Sequence, residues 1–451
     1  MRSRSLFAPG SDRAADQWRT DYQIDGCDAL QLHHLYRAMA WLGEELPHDQ
    51  QKDKTPFAPR CVKDRIEEEL FAHRRDLFTG LQLVFFDTTS VYFEGNGGQD
   101  IGQRGYSKDH RPDLYQMVVG AVLDGPGRPI GCELWPGNTA DVTTLIPVVD
   151  RLRSRFGVGK VCVVADRGMI SRETITALEQ DERGWRYILG ARMRSQNEVK
   201  DEVLSRAGRY RVVHPPRIKS DDPSPLKVKE VWVGEHRYVV CLNEDEARKD
   251  AADREAIVAS LQEKLRSGEK SLVGNKGYRR YLGGSDSAHF RVDETRVAED
   301  ARYDGKWVLR TNTESDAAEV ALQYKQLWMV EHWFRSCKSL LQTRPIFHRC
   351  DETIRGHVFC SFLALVLRQE LQARLDERGH ELERADVIQD LDRLQQVEVE
   401  QDGKRFLLRS EAQGTCGKVF QTVGVALPPT VQQVTPTTPG DGPAPGATPP
   451  D

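Results

Sequence analysis

LQLVFFDTT, residues 81–89, is a short apolar run closed by an aspartate and two threonines. Its length and its Leu, Val and Phe content predict a buried β-strand. A second run of the same character, KVCVVADRG at 160–168, also ends on an aspartate. A carboxylate at the carboxyl end of a buried strand sits on the edge where open α/β sheets place ligands. Either Asp87 or Asp166 taken alone is explained as well by a turn-capping role, which Asp fills routinely. The pair together is harder to explain that way.

Outward from these two runs the chain alternates. YQMVVGAVLD (115–124) and PIGCELWPG (129–137) are strands joined by the hairpin turn GPGR. TTLIPVVDRLRSRF (143–156) has apolar residues at helical spacing, and SRETITALEQD (171–181) opens on Ser171, an N-cap residue type. RYILGAR (186–192) is a fifth strand. The order is three strands, helix, strand, helix, strand. The first three fit an antiparallel meander, and the helical crossovers make the last two parallel. This α/β order resembles that of the ribonuclease H-like fold, a mixed five-stranded sheet with flanking helices in which the first and fourth strands pair. On that resemblance Asp87 and Asp166 are neighbours. Adjacent carboxylates repel unless a cation lies between them, and Mg²⁺ favours oxygen ligands.

The remainder frames this core. Residues 1–80 are predicted helical, with helices in 28–46 and 62–78, and 81–194 form the first part of the core. The segment 195–305 carries short alternating strands (RYRVVHPPR, LKVKEVWVG, HRYVVCLNE, SAHFRVD) and a charged helix, ADREAIVASLQEKLRSG, as a separate β-rich insertion. Residues 306–385 resume the core with the strand KWVLRTN and one long helix, 317–341. A very apolar helix spans 357–375. In 386–427 lie a helix and a hairpin, VEVEQDGKRFLLRS, with Asp-Gly at its turn. From 428 onward the Pro, Thr and Gly content predicts disorder.

Along the helix 317–341, Tyr324, Glu331 and Lys338 are seven apart and fall close to one line at about 100° per residue. Arg335 lies one turn past Glu331. A surface helix with a Glu331–Arg335 pair accounts for the charges, but Trp328, Trp333 and Phe334 make this stretch too apolar for a freely solvated helix.

The net charge of −5, from 64 basic and 69 acidic residues, does not single out a nucleic-acid binder. Phosphates are met by local patches, however, and three basic clusters flank the candidate carboxylates: Arg104, Lys108, His110 and Arg111; Arg183, Arg186, Arg192 and Arg194; Arg335, Lys338, Arg344, Arg349 and Arg355. Nine cysteines without a C-x-x-C pair suit a reducing cytoplasm. No apolar run is long enough to span a bilayer, and MRSRSLFAPGSDRAADQW lacks a signal-peptide core. His348-x-Cys350 with His357-x-x-Cys360 has metal-ligand residue types, but the second pair opens the apolar helix and is expected to be core. The absence of a G-x-x-x-x-G-K-[ST] loop excludes that class of nucleotide site.

FFDTTSVYFEG, GYSKDHRPDLYQ, VVADRGM and YKQLWMVEHWFRSCKSLL resemble the blocks of DDE-type bacterial insertion-sequence transposases, over roughly residues 20–425. The nearest resemblance is to the insertion-sequence four family, with its Tyr-Arg-Glu-Lys signature. Tyr324, Glu331 and Lys338 match that signature, and Leu327 stands at the position of its Arg. The resemblance implies a Mg²⁺- or Mn²⁺-dependent enzyme that cleaves DNA at element ends and transfers strands into target DNA. It makes Asp87, Asp166 and Glu331 the catalytic, metal-binding triad. Tyr324 and Lys338 become DNA-contacting residues, joined by Arg335, Lys108 and Arg111 as phosphate contacts. Double-stranded DNA is the implied partner, engaged by a homodimer. A short N-terminal region, by the standard of the group, opens one alternative: a truncated, catalytically silent derivative that binds DNA or inhibits transposition. A structure-selective nuclease on the same fold is a second.

Overall fold

The computed structural model of the chain describes residues 12–22, 24, 26–27, 29–51, 58–74, 82–158, 161–180, 184–266, 276–284 and 290–434, in two compact units divided between residues 362 and 363. Arg183, the first three residues of SAHFRVD and the tail from 435 lie outside the described residues. Among the described residues no helix is long and apolar enough to cross a membrane.

In the larger unit, β1 (Leu83–Tyr92) continues past its apolar run. Thr88, Thr89, Ser90 and Val91 are all buried, and β2 (Gln116–Asp124) pairs with β1 from Val84↔Asp124 to Tyr92↔Gln116. Asp87 therefore lies inside the antiparallel ladder rather than at the strand's end. It does stand at the end of a second ladder. The parallel pairing of β1 with β4 (Cys162–Ala165) runs from Leu83↔Cys162 to Phe86↔Ala165 and stops one residue short of both aspartates.

β3 (Pro129–Pro136) completes the meander, and β5 (Arg186–Ala191) pairs parallel with β4. The helices between them are α4 (Leu145–Phe156) and α5 (Arg172–Glu179), preceded in the chain by α1 (Asp12–Thr20), α2 (Leu32–Leu42) and α3 (Val62–Arg74). Ser171 caps α5, its hydroxyl accepting from the Thr174 N–H at 3.0 Å. Val84, Phe86, Val163 and Leu189 share one core with Leu145, Val148, Leu152, Ile175 and Leu178 of α4 and α5. Side chains alternate along a strand, so Phe85, Asp87 and Gly190 face the other way.

The insertion is not a separate sheet. β6 (Arg211–His214), β7 (Leu226–Val233), β8 (His236–Leu242) and β11 (Lys306–Thr311) extend the core into one nine-stranded sheet of order β3-β2-β1-β4-β5-β11-β8-β7-β6. β11 pairs antiparallel with both β5 and β8, which satisfies the backbone edge of β5. The rest of the insertion holds helices: α6 (Glu244–Arg266), α7 (Lys276–Arg279) and α8 (Glu294–Ala301), with a two-stranded ribbon of β9 (Leu282–Gly283) and β10 (Arg291–Val292). α6 begins well before the predicted helix, because Asn243 Oδ1 accepts from the Asp245 and Glu246 N–H groups and starts it there.

The long helix predicted over 317–341 is broken. α9 (Ala317–Lys325) ends at Gln326–Leu327, where the Leu327 N–H donates to Tyr324 O in a tighter turn. α10 (Trp328–Arg335) follows and passes into a π-helical stretch, Ser336–Leu340. α9 packs against β4 and β5, and α10 against β1 and β2.

α3 docks by charge. Lys63, Asp64 and Glu67 are buried; Lys63 pairs with both carboxylates, Asp64 bonds to Arg151 and Glu67 to Arg155 of α4, and the two arginines also reach Glu133 of β3. Burial raises the Asp64 carboxyl, but Lys63, Arg155 and Arg151 outweigh it and hold the group well below the usual carboxylate range.

The smaller unit takes the end of α11 (Asp351–Glu377), α12 (Arg384–Arg393), β12 (Gln396–Gln401), β13 (Lys404–Arg409) and α13 (Cys416–Val423). Asp402 (φ 52°) and Gly403 (φ 69°) make the hairpin turn between β12 and β13. Disorder expected from 428 does not hold for Val431–Val434. That segment is β14, paired antiparallel with β13, whose outer edge it completes.

Candidate active site

The register of β1 and β4 sets Asp87 and Asp166 side by side at the end of their shared ladder. Both line a cleft of about 1050 Å³, together with Glu331 and Arg335 of α10, Tyr324 of α9, Lys338 of the π-helical stretch and Lys108 of the loop after β1. Residues far apart in the chain are gathered because α9 and α10 cover the face of the sheet from which Asp87 projects.

Asp87 accepts from the Thr88 N–H at 2.7 Å. Its carboxyl is pushed up to about 6, chiefly by burial, against the pull of Lys108 and the Thr88 amide and with a further push from Asp166 and Asp141. The carboxylate oxygens of Asp87 and Asp166 are donors of the kind that a hard divalent ion takes. Among the described residues, though, no three Asp, Glu, His or Cys side chains are gathered around one point. Glu331 is exposed at the cleft, and among the described residues neither it nor Arg335 has an ion-pair partner. The Glu331–Arg335 pair that a plain surface helix would show does not form.

Tyr324 is committed to Asp166. Its phenol donates to Asp166 Oδ1 at 2.9 Å, and burial together with the Asp166 charge keeps it protonated well above the usual range for tyrosine. The ring passes over β5 at Gly190, where a Cβ would stand 2.5 Å from the Tyr324 oxygen. The hydroxyl of Tyr324, a residue that the resemblance makes DNA-contacting, is thus engaged with a carboxylate.

Lys338 is likewise engaged. It donates to Asp109 Oδ1 at 2.8 Å, Arg344 bonds to the same oxygen, and the Asp109 and Lys338 side chains are only 5% and 11% exposed. Arg111 is outside the cleft lining: it is exposed, bonded to Asp113, with its guanidinium 5.7 Å from the Tyr92 ring centre. Among the clusters, Arg192, Arg194, His110 and Arg344 line the cleft. Arg355 instead is buried against Glu45 and the Gly43 carbonyl. Trp333 is core and Trp328 is 59% exposed. His357 approaches the Thr343 carbonyl at 3.1 Å.

Asp141 was not singled out by sequence. It follows β3, which runs in the same direction as β1, so its loop opens on the same edge of the sheet as Asp87. An acidic residue just past a strand of that direction was the available signal. Asp109 and Gly190 carried none.

The family model for the transposase DDE domain matches residues 79–367 of the chain. No curated protein sequence matches it. A solved structure described as a piggyBac transposase synaptic complex with hairpin DNA is similar at a TM-score of 0.39 and 10% identity, over 87% of this chain and 78% of that one.

Proposed function

The chain belongs to the transposase DDE domain family, and from that premise we propose metal-dependent cleavage and transfer of DNA strands. It cuts a strand at the end of a mobile element and joins the freed 3′-hydroxyl to target DNA. The observation that carries this reading is the β1–β4 register, which sets Asp87 beside Asp166 in a cleft that Glu331 also lines.

Asp87, Asp166 and Glu331 would hold Mg²⁺ or Mn²⁺, which supply activation of the attacking oxygen and stabilisation of the leaving one. The remaining work belongs to the chain's own side chains. Tyr324 orients Asp166 through its phenolic hydrogen bond. Glu331, without an ion pair among the described residues, closes onto the preformed aspartate pair as the substrate enters. Arg335 meets the DNA phosphates directly, Lys108 and Lys338 give the cleft wall its positive charge, and Arg111, outside the cleft, meets phosphates farther along the duplex. Such contacts position the strand and do not read its sequence.

Finer assignments go with this reading. The five strands β3-β2-β1-β4-β5 are the ribonuclease H-like core, and 195–305 is the β insertion of the insertion-sequence four group. The enzyme acts in the cytoplasm on double-stranded DNA as a homodimer in the DNA complex. Binding of a labelled duplex carrying the DNA that flanks the reading frame, measured at two salt concentrations, tests the interface. The affinity should fall steeply with salt, since each phosphate contact releases counterions. A flat response contradicts the reading.

A further inference from the structure

Lys108 stands 3.9 Å from Asp87 Oδ1, a long ion pair with no hydrogen bond between them. Its ammonium donates to the Thr88 carbonyl at 2.7 Å and the Thr88 hydroxyl at 2.8 Å, and it forms a closer ion pair with Asp141 Oδ2 at 3.0 Å. The Thr88 hydroxyl in turn donates to Asp141 Oδ1 at 2.6 Å. Both oxygens of Asp141 are thus used, one on the lysine and one on the threonine that also holds the lysine. The backbone N–H of Lys108 is fixed as well, donating to Ser90 Oγ at 2.8 Å.

From this geometry we infer that Asp141 is a positioning residue: with Thr88 it tethers the Lys108 ammonium beside Asp87 and off it. The inference rests on the reading of Asp87 as a metal ligand. A lysine released from this tether has one strong acceptor within reach, the Asp87 carboxylate. A hydrogen bond from Lys108 to Asp87 would occupy an oxygen that a divalent cation needs. The tether keeps a positive charge next to the scissile phosphate's position while leaving the carboxylate open. Asp141 acts here through Lys108, and not as a ligand of its own.

The test is Mg²⁺ binding without DNA, followed by calorimetry and by the rise in melting temperature, in the parent and four variants. Asp141→Asn preserves shape and removes the charge that holds the lysine. It should weaken Mg²⁺ binding about tenfold, the size of effect that an opposite charge at contact has on a carboxylate. Thr88→Val, close to isosteric at a buried site, should weaken it in the same direction. Adding Lys108→Met to Asp141→Asn should restore binding to the parent's level or tighter. Asp87→Asn should abolish binding.

Failure of Lys108→Met to restore binding to Asp141→Asn would overturn the inference and make Asp141 a ligand or a purely structural group. Unchanged binding in Asp141→Asn would overturn it too. A parent that does not bind Mg²⁺, or an Asp87→Asn variant that binds it normally, would sink the metal reading itself and this inference with it. Melting curves of the metal-free variants separate any of these results from loss of fold.

Discussion

Tyr324 and Asp166, 158 positions apart, are joined by a 2.9 Å hydrogen bond in which the phenol is the donor. It links α9 to the end of β4, and it exists because β5 carries Gly190 where the ring crosses. A residue of the helical layer thereby sets the orientation of a carboxylate on the sheet.

Tyr324→Phe should leave the melting temperature close to the parent's and slow metal-dependent cleavage by about 10–100-fold, the usual range for removing an orienting partner of a metal ligand. Gly190→Ala should be as damaging or worse, since its Cβ displaces the same hydroxyl. Because the phenol stays protonated well above neutrality, the Tyr324 contribution should not vary between pH 6 and pH 9. Parallel kinetics of the two variants, with melting curves beside them, check this.

Asp87→Asn should stabilise the metal-free protein. The Asp87 carboxyl, raised to about 6 in the fold from an ordinary 3.8, binds its proton more tightly folded than unfolded. Its penalty is complete above pH 6 and is lost as the pH falls toward 4. A shift of this size is worth up to about 3 kcal/mol, and partial exposure reduces it to about 1–2 kcal/mol. The variant should melt a few degrees above the parent at pH 7.5, with the gap closing by pH 4. A gap that widens toward pH 4 would contradict the sign.

Lys338 and Arg335 should separate. Lys338→Ala leaves the buried Asp109 with Arg344 alone, so it should cost about 1–3 kcal/mol of stability as well as DNA affinity. Arg335→Ala removes an exposed side chain with no ion pair among the described residues, so it should lower DNA affinity and leave stability within about 0.5 kcal/mol. Denaturation curves and duplex titrations on both variants decide it.

Asp64→Asn should be the most destabilising of these changes. It takes one carboxylate from a buried network, leaving Lys63, Arg151 and Arg155 with Glu67 and Glu133, and breaking such a pair from one side typically costs about 3–5 kcal/mol. Urea melts at neutral pH measure the loss, with the cleavage site untouched.

Much of the candidate site is legible in the sequence. β1 and β4 announce themselves as apolar runs closed by aspartates, and Tyr324, Glu331 and Lys338 share a helical period. What escaped is nonlocal. The break at Gln326–Leu327 has no Gly or Pro to mark it, and it places Leu327 in the core at 6% exposure. Neither the pairing of β11 between β5 and β8 nor the tether of Lys108 by Asp141 has a local signature, because each depends on which edge meets which. The helix expected over 62–78 is present as α3, but its docking has no apolar signature, since charged residues occupy its buried positions.

The most direct test of the central claim is nicking of a duplex carrying the element's terminal repeat, in Mg²⁺ or Mn²⁺, by the parent beside Asp87→Asn, Asp166→Asn and Glu331→Gln. Each change keeps side-chain size and removes one negative charge. The parent should nick the duplex and all three variants should bind it without cutting, a loss of at least about 100-fold in rate. Undiminished nicking by any one of the three would contradict the triad. A parent that binds the repeat and never cuts it would point to a silent DNA-binding derivative.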